Sequence, residues 1–151
     1  MNYRHLQDLI ESAWENRTLL SESSTIAAID QVIASIDAGA LRVAEPSQEG
    51  WKVNEWVKKA VVLYFPIRKM ETFEAGPLEF HDKMALKTGY AEKGIRVVPH
   101  AVARYGAFID RDVILMPSYV NIGAYVGART MVDTWATVGS CAQIGSDVHL
   151  S

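Results

Sequence analysis

The chain has 151 residues, of which 49% are hydrophobic and 22% are charged, so it is long enough for one ordinary domain or two small ones sharing a core. Its formal net charge of −3 gives no broad basic surface, which argues against nucleic acid and anionic membranes as partners. Small molecules and other proteins remain as candidate partners.

Cys141 is the single cysteine, which excludes an intramolecular disulfide framework and argues against a cysteine-based zinc site. This usage fits a reducing compartment, and we expect a cytoplasmic protein. The N-terminal residues do not have the basic, apolar and small-residue pattern of a signal peptide, and no apolar run approaches the roughly 20 residues that span a bilayer. The sequence therefore predicts neither export nor a membrane partner.

Two amphipathic helices are predicted at the start of the chain. In the first, polar residues separate apolar residues at helical spacing. The second begins near the hydroxyl cluster at 23–25, whose side chains can cap free amide groups, and it stops at Gly39. The predicted inward residues are Leu6, Leu9, Ile10, Ala13 and Trp14 in the first helix and Ile26, Ile29, Val32, Ile33 and Ile36 in the second.

A third helix is predicted after a short extended stretch. Residues 41–44 alternate like a strand, residues 45–50 resemble a turn, and helical spacing then runs from Val53 to Tyr64 and ends by Pro66. From Ile67 to Gly94 the periodicity fades, which predicts a linker or a surface-packed loop. We therefore place the boundary near Ile95, with a mainly helical domain and linker at 1–94 and a second domain at 95–151.

Beyond that boundary, apolar residues recur every six positions, a period of neither an α-helix nor an ordinary strand. Mostly small residues follow each of them four positions later, and residues that tolerate left-handed backbone angles follow one position later in the second half. The repeated apolar residues are Val102, Phe108, Ile114, Val120, Val126, Val132, Val138, Ile144 and Leu150; the small ones include Gly106, Asp112, Ser118, Ala124 and Thr130; the predicted corner residues are Asn121, Gly127, Asp133, Gly139 and Gly145.

This pattern describes a solenoid of short parallel strands in which three hexads close one triangular coil. Nine hexads supply a little under three coils, whose aliphatic side chains stack into one continuous core. The predicted class is α+β, with an N-terminal helical domain followed by a parallel β-helix. An ordinary β-sandwich with accidental spacing is the alternative, and nine consecutive matches disfavour it.

The stretch PSYVNIGAYVGARTMVDTWATVGSCAQIG, from Pro117 to Gly145, resembles the signature of the tetrahydrodipicolinate N-succinyltransferase family. The resemblance extends to GIRVVPHAVARYGAFI at 94–109 and more loosely to GALRVAE at 39–45. It implies a homotrimer of left-handed β-helices whose active sites lie between subunits. It also implies succinyl transfer from the co-substrate succinyl-CoA to tetrahydrodipicolinate in lysine and diaminopimelate synthesis, with no permanently bound cofactor.

Asp133, in MVDTW, matches the catalytic carboxylate of that family. An amine that attacks a thioester must lose a proton, and a carboxylate within hydrogen-bond reach can orient the amine or accept that proton. On periodicity alone Asp133 is better explained as a corner residue, because Asp is tolerated in left-handed turns. The surrounding motif favours the catalytic interpretation.

A dicarboxylate acceptor also requires cationic partners, and the guanidinium fork of arginine suits a carboxylate. Arg96, in GIRVVP, matches the substrate-binding arginine of the family; without that motif it is better explained as a solvated surface charge. Arg104 is a second, weaker candidate. Trp135 can pack across the trimer interface, which we favour, or form a wall of the acceptor pocket.

The other reactive side chains are given no role in the chemistry. No His–Asn or His–Asp arrangement lies near Cys141 in the sequence, and direct transfer from a thioester requires no enzyme thiol, so we predict a packing role for it. His100 and His149 flank the repeats without metal-ligand spacing, and we predict no catalytic metal.

The chain ends at Ser151 within VHLS, where the resemblance implies further coils. We therefore expect a β-helix cut after about three coils, with the residues that bind CoA lying mostly beyond Ser151, and we do not expect this polypeptide by itself to catalyse transfer. Two alternatives to the succinyltransferase interpretation remain open. One is a non-catalytic module that trimerises, and the other is the N-terminal part of an enzyme that transfers acetyl in the same pathway.

Overall fold

The computed structural model describes residues 3–151. Three α-helices and two β-hairpins precede a stack of very short strands. One 3-10 helix, Arg17–Ser21, follows the first α-helix, and a second, Ala91–Lys93, precedes the stack. The bounds of the other early elements are α1 Arg4–Glu15, α2 Ser23–Asp37, β1 Ala44–Ser47, β2 Gly50–Val53, α3 Glu55–Ile67, β3 Glu71–Ala75 and β4 Leu78–Asp82.

The stack contains strands of two residues each, and every pairing within it is parallel. They form three sheets, ordered β5-β8-β11-β14, β6-β9-β12 and β7-β10-β13, so each strand pairs with the third strand before or after it. This is a left-handed parallel β-helix of about three turns, as predicted. The strands are β5 Arg96–Val97, β6 Val102–Ala103, β7 Phe108–Ile109, β8 Ile114–Leu115, β9 Tyr119–Val120, β10 Tyr125–Val126, β11 Met131–Val132, β12 Thr137–Val138, β13 Gln143–Ile144 and β14 His149–Leu150.

The three α-helices share one apolar core, which confirms most of the inward residues predicted from helical spacing. α2 ends as expected at Gly39, whose φ of +74° belongs to the left-handed region. The N–H groups of Gly39 and Ala40 donate to the carbonyls of Ile36 and Ser35, both at 2.9 Å, and thereby satisfy the free carbonyl groups at the helix end. The predicted hydroxyl cap is wrong, because the residue before α2 is Glu22 and no side chain caps the helix start.

Two hairpins replace segments that were predicted as turn and loop. β1 and β2 pair across residues 44–53, so the predicted strand at 41–44 is wrong except at Ala44, and Val53 belongs to a strand instead of the third helix. β3 and β4 pair across residues 71–82, inside the predicted linker. α3 continues one residue past Pro66, to Ile67. Both hairpins are mostly exposed, so they carry no alternating apolar signal.

The predicted six-residue period of the coils is correct, but before the turn at 116–118 the inward residues lie one position later than predicted. Val102, Phe108 and Ile114 lie on the outer face of the β-helix and are only half-buried. Their neighbours Ala103, Ile109 and Leu115 are the inward residues, at most 1% exposed. The inward small residues there are likewise Ala107 and Val113 instead of Gly106 and Asp112.

A short turn between β8 and β9 causes this change of phase. The inward residues Leu115 and Val120 are five positions apart, whereas Val132 and Val138, on either side of the turn one coil further on, are six apart. One residue is therefore missing from the turn at 116–118, and from Val120 onward the predicted inward positions are correct.

The corner prediction is also wrong about which residues have left-handed backbone angles. Asn121, Gly127, Asp133, Gly139 and Gly145 do not have positive φ values; the positive values occur two positions later, at Gly123, Arg129, Trp135, Cys141 and Asp147. At Gly127 a glycine is required by close contact between two coils and not by a left-handed backbone angle. A Cβ atom there would lie 2.6 Å from the backbone of Gly145 in the next coil.

The helices pack directly on the β-helix. Ile122, from the coils, belongs to the apolar core of the helices, and Gly39 at the end of α2 lies against the ring of Phe108. A buried ion pair joins the Lys87 ammonium to Oδ1 of Asp37 at 2.6 Å, and the same oxygen accepts the N–H of Gly106 at 2.9 Å. Within residues 3–151, no helix has the length and apolar character needed to cross a membrane.

Candidate active site

Asp133 is held at the corner that follows β11, on the outer surface of the β-helix. Its Oδ1 accepts the backbone N–H of Thr134 at 2.7 Å and faces the Thr134 hydroxyl at 3.3 Å. The backbone N–H of Asp133 donates to the carbonyl of Leu150 in the next coil at 2.8 Å, so the residue is tied to the coil above. About a third of its side chain is exposed, which leaves the carboxylate accessible to a ligand.

The second carboxylate oxygen of Asp133 contacts a histidine. Oδ2 lies 2.8 Å from Nε2 of His149, and this contact is the largest of the causes that lower the pKa of Asp133 below its ordinary value, followed by the Thr134 N–H. Asp133 is therefore ionised at neutral pH. An exposed anion with a fixed orientation suits a cationic or N–H-bearing ligand.

Arg96 lies on the same outer face as Asp133. The parallel register places Arg96, Ile114, Met131 and His149 in one outward column, one residue per coil. Arg96 and Met131 are two coils apart, about 10 Å between their main chains. Arg96 is exposed, and it forms no ion pair with the residues the structure describes. Asp133 and Arg96 thus carry opposite charges on one accessible face.

Arg104 is placed differently. It follows β6, on another sheet of the β-helix, and its guanidinium donates to Oδ2 of Asp82 at 2.9 Å and to Oδ1 of Asn121 at 3.4 Å. These contacts connect the second hairpin to the coils. The structure therefore does not bring Arg104 together with Asp133.

Trp135 is the most exposed large apolar side chain of the described residues, at 80%. It occupies the corner with a φ of 61°, which is uncommon for a bulky residue, and its N–H donates to the carbonyl of Pro117. A hollow of about 180 Å³ lies below it, where the turn at 116–118 is one residue short, and His100 and Tyr119 also line this hollow. Trp135 is free to contact a partner or a ligand.

Cys141 and the possible metal ligands are the other reactive groups of the described residues. Burial raises the pKa of the Cys141 thiol, and its polar contact is the hydroxyl of Ser140 at 3.6 Å. Across residues 3–151, no three His, Cys, Asp or Glu side chains lie close enough together to hold a metal ion. A wide cavity of about 1020 Å³ opens beside α1 and the first hairpin, away from Asp133, and has charged side chains of both signs.

Sequence reasoning missed the partner of Asp133. His149 lies 16 residues after Asp133, outside the motif, and its spacing to the other histidines predicts no metal site. Because one coil contains 17 or 18 residues, that separation places the two residues in adjacent coils on the same face of the β-helix. The signal was therefore present, but it depends on the coil register.

Comparisons with known proteins agree on one family. The model of the family described as "Tetrahydrodipicolinate N-succinyltransferase N-terminal" matches residues 5–67. Proteins named 2,3,4,5-tetrahydropyridine-2,6-dicarboxylate N-succinyltransferase are similar along almost the whole chain. Those of Polynucleobacter asymbioticus, Dechloromonas aromatica and Sodalis glossinidius are 54%, 52% and 50% identical to it over 96%, 97% and 97% of this chain, and the chain spans about 57% of the length of each of them.

Proposed function

The chain belongs to the tetrahydrodipicolinate N-succinyltransferase family, and we propose that the protein transfers a succinyl group from succinyl-CoA to tetrahydrodipicolinate in lysine and diaminopimelate synthesis. The product is N-succinyl-2-amino-6-oxopimelate. The observation that carries the proposal is the identity of about half of all residues, along 96% or more of this chain, with proteins named for this reaction. A cytoplasmic location follows from the proposed pathway.

The proposed chemistry is acyl transfer to an amine. Hydration and opening of the cyclic imine provide a primary amino group, whose nitrogen attacks the thioester carbonyl carbon. A C–N bond forms, the C–S bond breaks, and the CoA thiolate leaves with the electron pair of that bond. The nitrogen gives up one proton, and the thiolate or solvent takes one up.

Asp133 is the residue we propose to bind the reacting amine. Its carboxylate is accessible and ionised, and hydrogen bonds to both oxygens fix its orientation. Holding the nitrogen in an attack geometry makes the transfer effectively unimolecular and is a large part of what an enzyme contributes to such a reaction. The same carboxylate can accept the proton that the nitrogen loses.

Arg96 is the residue we propose to bind a carboxylate of the acceptor. The acceptor carries two carboxylates, and a guanidinium binds a carboxylate through two parallel hydrogen bonds. The exposure of Arg96 and its position on the face of Asp133 support this role. Arg104 remains a weaker candidate, because Asp82 and Asn121 already occupy its guanidinium.

We further propose that the protein acts as a homotrimer with Trp135 at the subunit interface. Trp135 is 80% exposed, and aromatic residues are enriched where subunits meet. The proposed division into residues 1–94 and 95–151 is supported by the first coil strand, which begins at Arg96. Succinyl-CoA is the proposed acyl donor, without a permanently bound cofactor.

The test is an assay of the protein as produced from its native gene. With succinyl-CoA and tetrahydrodipicolinate, a thiol reagent should detect release of CoA that depends on the acceptor, and acetyl-CoA should be a poorer donor. Asp133→Asn should lower kcat by about 100-fold or more, the usual contribution of a group that handles the reacting proton. Asp147→Asn, at an exposed corner of the β-helix, is the control and should keep full activity. Release of CoA that does not depend on the acceptor would refute the proposal.

A further inference from the structure

We propose that His149 is a positioning residue that holds the carboxylate of Asp133 in place for the acceptor amine; this inference rests on the function proposed above. The direct observation is the 2.8 Å contact between Nε2 of His149 and Oδ2 of Asp133. His149 lies outside the matched motif around Asp133, in the next coil of the β-helix. Its role is to act on Asp133, without a contact to the reacting atoms.

The coil register builds this contact. β11 and β14 pair in parallel, with Met131 beside His149 and Val132 beside Leu150. Alternation along the strand points Met131 and His149 outward, and Asp133 follows on the same outer side. Hydrogen bonds from Met131 N–H to the Val148 carbonyl at 2.9 Å and from Asp133 N–H to the Leu150 carbonyl at 2.8 Å fix the two coils relative to each other. The pair is therefore set by backbone structure on both sides.

The contact leaves a carboxylate that is restrained but not saturated. Thr134 N–H occupies a lone pair of Oδ1, and His149 Nε2 occupies a lone pair of Oδ2. A carboxylate has about four lone-pair sites, and the Thr134 hydroxyl also faces Oδ1 at 3.3 Å, so Oδ2 is the oxygen that keeps a site available for an N–H of the acceptor. With both oxygens held, rotation of the carboxyl group is blocked before the acceptor arrives, and less ordering remains to be done on binding.

The charge of the pair favours the same role. The donor hydrogen of the imidazole stabilises the ionised form of Asp133 and contributes most to the lowering of its pKa. An ionised carboxylate of fixed orientation can hold the N–H groups of the reacting amine. Thr134 contributes from the same turn, and Arg96, two coils away on the same face, carries the other charge expected to meet the acceptor.

The test uses two substitutions in the protein made from its native gene. His149→Ala removes the donor, whereas His149→Gln retains an N–H group that can reach Oδ2. Loss of a hydrogen bond to a charged group corresponds to about 10- to 100-fold, so His149→Ala should lower kcat/KM for the acceptor by that factor and leave the KM for succinyl-CoA unchanged. His149→Gln should recover most of the loss. His81→Ala, on the exposed second hairpin, is the matched control and should match the wild type.

A titration of the Asp133 side-chain carboxyl by carbon NMR gives a readout independent of turnover. We expect its pKa to rise in His149→Ala and to stay low in His149→Gln. An active wild type with equal acceptor kinetics in His149→Ala would overturn this inference alone, as would equal losses for both substrates in the Ala and Gln variants. A wild type without acceptor-dependent release of CoA would overturn the proposed function, and this inference with it.

Discussion

The helical region and the β-helix bury their apolar side chains in different ways. In the helical region, large side chains from three separate helices converge on one cluster, which contains Ile10, Ile29, Ile33 and Leu63. In the β-helix, each inward side chain stacks on its equivalents in the coils above and below, as Val120 does between Ala103 and Val138. The first core is three-dimensional, and the second is close to a one-dimensional stack.

This difference between the two cores determines how far a destabilising substitution affects the surrounding structure. A cavity in the helical cluster is shared by all three helices, because each of them supplies part of its wall. A defect in the stack acts first on the adjacent coils and depends on the spacing of coil backbones, which hydrogen bonds fix near 4.8 Å. Substitutions in the two regions should therefore differ in the reach of their effects as well as in size.

The largest effect should come from forcing two coils apart. Gly127→Val places a Cβ atom 2.6 Å from backbone atoms of Gly145 and Ser146, which cannot move without breaking the ladder. We expect a loss of about 3 kcal/mol or more in the free energy of unfolding, measured by urea denaturation. Gly139→Val is the control, because a Cβ there meets nothing within 4 Å. Equal midpoints for the two variants would show that coil spacing does not limit stability.

The next effect tests the junction between the two regions. Lys87→Met removes one partner of the buried pair with Asp37, whose carboxylate then has the Gly106 N–H as its remaining contact there. We expect a cost of about 3 kcal/mol in the same experiment. Lys93→Met, on an exposed side chain nearby, should change little. Hydrogen exchange should show faster opening at both α2 and the first coil, and an effect limited to one of them would contradict a shared junction.

A smaller effect tests the phase of the coils. Leu115→Ala opens a cavity at a fully buried inward position, and it should cost about 2 kcal/mol in the free energy of unfolding. Its neighbour Ile114 faces outward and is half-buried, so Ile114→Ala should cost about 1 kcal/mol. If Ile114→Ala proved the more damaging of the two, the assignment of inward residues in the first half of the β-helix would be wrong.

The smallest effect should come from the exposed corner pair Arg129–Asp147. The guanidinium donates to both oxygens of Asp147 at 2.7 Å and holds the pKa of that carboxyl below its ordinary value. Any stability from this pair is present above the unfolded pKa, near 4, and is lost as the pH falls through the lower folded value. The thermal midpoints of Asp147→Asn and wild type should therefore be nearly equal at pH 7, and any difference between them should shrink as the pH falls below about 4. A large difference at pH 7 that persists in high salt would contradict this.

The sequence predicted the helices and the β-helix because both have a strong apolar period. It did not predict the hairpins at 44–53 and 71–82, because their side chains are mostly exposed on both faces and no inward pattern exists. The phase in the early coils was ambiguous for a related reason. Phe108 is followed by Ile109 and Ile114 by Leu115, and a period of six cannot decide which member of an apolar pair faces inward.

The sequence predicted only those residues of the candidate site that lie within a family motif. Asp133 and Arg96 came from matches to the family motif, and the register places them on one face. The contact between Asp133 and His149 depends on the number of residues in one coil, a signal that the motif around Asp133 does not carry. The turn at 116–118 changes that number from 18 to 17 for the second coil.

That short turn also limits how the protein can be engineered. Arg96, Ile114, Met131 and His149 occupy equivalent positions, yet Ile114 and Met131 are separated by one residue fewer than the other neighbouring pairs. If coils were exchanged as fixed segments of 18 residues, the register would shift by one residue at the turn that contains Pro117. Residues that face inward would then face outward, and part of the apolar column would be exposed to solvent. A functional exchange has to be cut between structurally equivalent residues, so the repeats are units of geometry instead of units of length.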